Sequence, residues 1–179
     1  MRQFLFLLAF VVTAPAWAKV EVTYPKSGGK LYQFTIESFG QEKLQVNGAS
    51  FTSVKLEGID GFEGVHYEVG KPALPVVRMY VFDKPTMTLG KRKTVAVAKP
   101  LAPSRPAAEK RPGVEREFVF NAAAYAQDKA LPAVDYTVVP AGSVRGMQRY
   151  LVTIFPVRYN PVRGELYQME SFAIATDGI

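Results

Sequence analysis

The 179-residue chain contains no cysteine, and His66 is its only histidine. The first absence excludes disulfide staples and any Cys–His dyad within the chain, and the second leaves a Ser–His–Asp arrangement a single imidazole to use. Around that imidazole, Gly64-Val65-His66-Tyr67-Glu68 has no Gly-x-Ser-x-Gly nucleophile elbow. One histidine without acidic ligands at metal spacing makes no recognisable zinc or calcium site. The acid pairs Glu63/Glu68 and Glu165/Glu170 fall on strand-like segments and read as solvated faces, so a glycosidase reading has no further support. These residues predict a chain that is not an enzyme and holds no cofactor and no metal.

Concentrated charge is also missing. The 22 Lys and Arg residues outnumber 16 Asp and Glu, a net charge of +6, but they are scattered, with clusters only at Lys91-Arg92-Lys93 and Lys110-Arg111. Nucleic-acid surfaces gather their cations on one face and interleave stacking aromatics, so no nucleic-acid partner is expected. Gly58, Gly61 and Gly64 are followed by no Lys-Ser/Thr pair and are not a phosphate loop.

Long apolar runs are confined to the N-terminus. Arg2, the apolar stretch from Phe4 to Val12 and the small-x-small triplet Ala16-Trp17-Ala18 have the form of a signal peptide, and the run before Pro15 is too short to cross a bilayer. Residues 1–18 are therefore expected to be removed by cleavage between Ala18 and Lys19, leaving a single domain over 19–179 that is periplasmic or secreted, with no membrane attachment. Loss of Arg2 leaves 21 basic against 16 acidic residues, a net charge of +5.

What is present is alternation. Tyr150, Val152 and Ile154 alternate against Leu151, Thr153 and Phe155, and a second run, Leu166, Gln168, Glu170, Phe172 and Ile174, follows Asn160-Pro161-Val162-Arg163-Gly164. Asn opening the turn, Pro presetting φ and Gly free to take positive φ predict a hairpin from these two runs. Further strands are read at 19–23, 31–39, 51–57, 76–82, 87–89, 94–98, 117–120 and 136–139. Asn121 with the alanines after it predicts one short helix over 121–128. Residues 99–113 carry Pro100, Pro103, Pro106 and Pro112 with almost no large apolar side chain, and are expected to project as a loop outside the core. Nine or ten short strands predict an all-β fold, an antiparallel β-sandwich that is jelly-roll-like, with one short helix and a proline-rich loop.

Four blocks carry a resemblance: Gly70-Lys71-Pro72-Ala73-Leu74-Pro75, Leu101-Ala102-Pro103-Ser104, Val144-Arg145-Gly146 and Phe155-Pro156-Val157-Arg158-Tyr159-Asn160-Pro161-Val162. In this order they resemble the N-terminal propeptide of gingipain-type, caspase-like cysteine peptidases, over about residues 50–176. The resemblance implies a β-sandwich prodomain that assists folding of the peptidase, stays bound after cleavage and keeps it latent. It also implies a loop that offers a basic residue to the specificity pocket. The matching loop is the proline-rich one, which places Arg105, Lys110 or Arg111 in that role, with Lys110 favoured by its spacing to Asp128-Lys129-Ala130-Leu131-Pro132. The implied partner is a cysteine peptidase catalytic domain, supplied in trans or by a longer precursor. A peptidase domain would have to lie beyond Ile179, which leaves three roles: an inhibitor, an envelope binding or adhesion module on the same fold, or a truncated fragment of a peptidase precursor.

Overall fold

Strands whose β-branched and aromatic residues recur every second position can bury one face and leave the other in water, and the chain is built almost wholly from such segments. In a computed structural model, residues 18–25, 28–59, 61–66, 68–105 and 118–176 are described. They form thirteen strands and one helical turn.

A first sheet has the order β1-β2-β13-β7, from Ala18–Thr23, Lys30–Ile36, Ser171–Thr176 and Thr86–Leu89. A second has the order β5-β6-β10-β9, from Glu63–His66, Leu74–Phe82, Met147–Ile154 and Tyr136–Val144. A three-stranded sheet, β11-β12-β8, is built from Val157–Asn160, Glu165–Met169 and Arg92–Ala96, and Gly40–Val46 with Ala49–Lys55 form the hairpin β3-β4. All strand pairings are antiparallel. The expected all-β sandwich class is what the chain adopts.

One hydrophobic core joins these sheets. At its centre Phe34 of β2 stacks on Phe172 of β13 at 4.4 Å and meets the edge of Phe62 at 5.6 Å. Val77 and Met79 of β6, Val152 and Ile154 of β10, and Leu166 of β12 close on the same cluster. Gln168 is 1% exposed yet satisfied: its Nε2 donates to the Ile36 carbonyl at 2.9 Å and ties the three-stranded sheet to the first one.

The hairpin expected from the two C-terminal runs is not formed. The turn at 160–164 instead joins β11 to β12, while Met147–Ile154 lies between β6 and β9 in another sheet. Pro156, which has no N–H to continue a ladder, separates β10 from β11. The second run keeps its alternation, with Leu166, Gln168, Phe172 and Ile174 all buried, but bends at exposed Glu170. The Glu170 N–H donates to Lys91 and its carbonyl accepts from Ile36, so the corner is hydrogen-bonded as the chain crosses from one sheet to the other. The turn chemistry itself is as expected: Asn160 Oδ1 accepts from the Val162 and Arg163 N–H groups at 3.1 and 3.2 Å.

Two other expectations are corrected. Phe118–Phe120 is irregular rather than a strand. Leu101, Ala102, Pro103 and Ser104, read as part of a projecting loop, are buried, Leu101 completely. Their backbone is paired with core elements, which a count of prolines does not reveal. The helix is a single turn, α1, Ala122–Tyr125, with the Asn121 side chain accepting from the Ala124 N–H at 3.1 Å.

Candidate functional site

The proline-rich loop leaves and rejoins the described structure at one place, and that place is organised by Gly70. On the outgoing side, Thr52 of β4 exchanges hydrogen bonds with this segment, donating to Pro100 at 2.7 Å and accepting from Ala102 at 2.8 Å. Ala73 N–H donates to Ala102 O, Ser104 N–H donates to Lys71 O, and Gly70 N–H donates to Ser104 O at 3.0 Å. On the returning side, Asn121 N–H donates to Gly70 O, also at 3.0 Å. A single glycine thus holds both limbs of the loop.

Gly70 has φ +79°, and a Cβ there would lie 3.1 Å from Val119 Cγ1 and from Asn121 N. Only glycine takes that backbone conformation without cost and leaves room for the returning limb. The limb is further fixed by aromatics: Phe118 and Phe120 face Phe51 at 5.9 and 6.4 Å, and Phe120 stacks on Tyr125 at 4.4 Å. The Tyr125 hydroxyl donates to Leu101 O at 2.6 Å, and burial pushes its pKa well above the ordinary phenol value.

Arg105 is exposed and follows directly on Ser104, which is 2% exposed. Lys110 and Arg111 fall outside the described residues. At the other end of the chain, Ala18 opens β1 as a core residue, its N–H donating to Glu57 O at 2.8 Å, while Lys19 is exposed.

Beside the loop base lies a polar chain that ends in His66. Glu68 accepts from Lys71 through one carboxylate oxygen and contacts His66 Nε2 at 2.8 Å through the other. The Lys71 hydrogen bond, followed by the His66 one, holds the Glu68 carboxyl below its usual value of 4.5. Ser104, His66 and Glu68 are thus neighbours, but they are not a catalytic triad. The Ser104 hydroxyl donates to the His66 backbone carbonyl at 3.0 Å instead of the ring, and the ring edge packs on Phe155 at 5.1 Å. A cavity of about 330 Å³ opens here, lined by Leu74, Leu131 and Pro132 and by Lys71 and Lys129. Among the described residues, no three His, Asp or Glu side chains gather to hold a metal ion, and no helix is long and apolar enough to cross a membrane.

Glu68 makes a small pH effect expected. Its pKa is lower in the folded chain than in the unfolded one, so its contribution is complete above about pH 4.5 and is lost as the pH falls through the lowered value. Wild type should lose more stability between pH 5 and pH 3 than Glu68→Gln, as followed by thermal unfolding at each pH. The difference is small, because the Glu68 side chain is 43% exposed and well screened.

Sequence reasoning singled out the proline-rich segment and the Gly-Lys-Pro-Ala-Leu-Pro block but not their connection. The signal that could have linked them was Gly70 itself, a glycine ahead of a proline-flanked strand and outside any hairpin turn.

No curated protein sequence is significantly similar to this chain. A chain from a structural study of the zymogenic latency of gingipain K from Porphyromonas gingivalis superposes with a TM-score of 0.67 at 22% identity, over 94% of this chain and 97% of that one. A chain from the complex of the pro- and mature domains of RgpB, also from Porphyromonas gingivalis, gives a TM-score of 0.69 at 17% identity, over 89% and 85%. At these identities the likeness is one of fold. The sequence model of the family Propeptide_C25 matches residues 38–177, most of the chain. The chain whose loop is gathered at Gly70 therefore belongs to the Propeptide_C25 family and is a propeptide of the gingipain type.

Proposed function

We propose that this propeptide domain binds the catalytic domain of a gingipain-type cysteine peptidase and keeps it latent by offering a basic side chain of the proline-rich loop, Lys110, Arg111 or Arg105, to the specificity pocket. The observation that carries the reading is the shared anchorage of both loop limbs on Gly70. A cation on a loop whose two ends are already ordered loses little further entropy when a pocket carboxylate takes it up. The catalytic residues belong to the partner, and the domain's own work is binding.

The domain acts outside the cytoplasm, periplasmic or secreted, as residues 19–179 after removal of 1–18. Cleavage after Ala18 precedes folding. In the folded chain the Ala18–Lys19 bond lies in a paired strand, with Ala18 opposite Ile36 and Lys19 opposite Thr35, where a peptidase cannot extend it.

The test is inhibition of purified RgpB and gingipain K by residues 19–179. Inhibition below about 1 μM, roughly 8 kcal/mol of binding, is expected. No inhibition of either enzyme at tens of micromolar would sink the reading and favour an envelope module.

Gly70→Ala tests the anchorage. Left-handed backbone at a non-glycine residue costs about 1–2 kcal/mol, and the added methyl group displaces the returning limb. Inhibition should weaken at least tenfold while Tm falls by only a few degrees, roughly 2–4 °C per kcal/mol for a chain of this size. An unchanged inhibition constant would show that the limbs need no common anchor.

A further inference from the structure

The β5-β6-β10-β9 sheet has two unlike faces. Met79, Val152 and Val138 pair across three strands and turn into the core. One residue along, Tyr80, Leu151 and Val139 form the next row across the same strands, on the opposite face. Here Tyr80 is 57% exposed, Val139 46% and Phe82 40%. Three large apolar side chains thus lie in neighbouring positions on one open face, an arrangement common at interaction surfaces.

Cations surround this row, and one of them is held in place. Arg149, paired with Phe82, lies over the Tyr80 ring at 4.4 Å, and its guanidinium donates to Ala141 O at 3.1 and 3.2 Å. At the tip of the β9–β10 hairpin, Arg145 is exposed with φ +52°, a conformation that asparagine or glycine takes with less strain. Arg78 lies one pair further along β6, on the same face. β6, β9 and β10 contain no Asp or Glu; the acids that adjoin them along the chain are Asp83, just beyond β6, and Asp135, just before β9, whose carboxylate is paired with Arg92 and Arg158.

An aromatic and aliphatic centre with Arg149, Arg145 and Arg78 around it complements a protein surface that is apolar in the middle and carboxylate-bearing at its edge. The same sheet reaches the base of the loop: β5 ends at His66, whose carbonyl holds the Ser104 hydroxyl. His66 pairs with Leu74, and Tyr80 lies six residues further along β6, about 20 Å away at the strand rise. A standard interface of about 800 Å² per partner is roughly 30 Å across and spans both.

We infer that the outer face of β6, β10 and β9, centred on Tyr80, Leu151 and Val139 with Arg149 and Arg145 at its rim, is a second docking surface for the peptidase domain, separate from the basic loop. This rests on the proposed function, and it places the strength of binding on the sheet and the block of the pocket on the loop.

The test is the double variant Tyr80→Glu/Val139→Glu, in which exposed positions acquire charges that repel an acidic rim and wet an apolar one. Affinity of wild type and variant for the active-site-blocked mature domains of RgpB and gingipain K is measured by calorimetry, with Tm and sedimentation alongside. A loss of at least tenfold in affinity at unchanged Tm is the expected result. Affinity within twofold of wild type would overturn the second surface while leaving the loop reading intact. Absence of wild-type binding to either domain would overturn the proposed function, and this surface with it. A wild-type dimer that the variant dissolves, without any change in peptidase affinity, would assign the face to a second copy of the chain and overturn the inference.

Discussion

Replacing Lys110 and Arg111 together by alanine should raise the inhibition constant for a gingipain-type peptidase by about 10²–10³-fold. A charge-assisted pair closed off from water at the centre of an interface is worth roughly 2–5 kcal/mol on truncation, much of it the cost of leaving the partner carboxylate unpaired. The two positions lie at least five residues beyond Arg105 along the chain, and an extended chain covers about 3.3–3.6 Å per residue, so they can reach well past the anchored base. Arg105 has less reach, because it adjoins the buried Ser104 that Gly70 and Lys71 hold. Arg105→Ala should therefore change inhibition by less than about tenfold, the range of a rim charge. Single substitutions then separate Lys110 from Arg111, the more so if an Arg-specific and a Lys-specific peptidase are compared. Tm should not move in either variant. If the double variant inhibited as well as wild type, the block would have to come from elsewhere on the domain.

Asp135→Ala should be the most damaging polar truncation, at about 2–3 kcal/mol. One carboxylate oxygen, Asp135 Oδ1, accepts from Arg92 Nη2 at 2.7 Å and from Arg158 Nη1 at 3.1 Å. Both guanidinium side chains are largely covered, 22% and 21% exposed, and each also ties down backbone: Arg92 to Tyr167 O, Arg158 to Pro132 O. Burial already lowers the pKa of Arg92, ahead of the opposing effect of Asp135. Removing the shared anion leaves two neighbouring cations facing each other, which in a fully buried site costs about 3–5 kcal/mol and somewhat less here, where the carboxylate is 33% exposed. The mechanism makes a second demand: Arg92→Met in the Asp135→Ala background should restore part of the loss, because it removes one of the two stranded charges. Urea unfolding of the two variants and the wild type measures both numbers, and a double variant less stable than Asp135→Ala alone would argue against repulsion as the cause.

Strands rich in β-branched and aromatic residues were read correctly, from alternation at 30–36 and 171–176 and from a dense apolar run at 74–82. The Asn121 cap and the Asn160 turn were legible too, because their signals are local hydrogen bonds. The crossing at Glu170 was not, since the same set of alternate positions is buried on both sides of the bend, and a single exposed residue between them does not reveal a change of sheet. β3, with the sequence GQEKLQV, and β5, with EGVH, pair at the margins with mostly exposed side chains and carry little apolar signal. Leu101–Ser104 was misread because the prolines there lack an N–H, whereas its pairing runs through carbonyls and through the N–H groups of Ala102 and Ser104. The family was legible from four short blocks. The anchorage was not, because the left-handed φ of Gly70 and the two partners it meets exist only once distant segments have come together.

That anchorage bears on what happens if the peptidase cuts the loop it is offered. Hydrolysis anywhere between 106 and 117 would leave the outgoing limb bonded to Thr52, Lys71 and Gly70, and the returning limb bonded to Gly70, tilted against Phe51 and stacked on Tyr125. The new ends could not diffuse apart, and their effective concentration would stay in the millimolar range or above. Under the proposed function, a nicked domain would thus still inhibit, with the severed bond open to resealing. Release of the enzyme would require damage to the clamp rather than a cut in the bait.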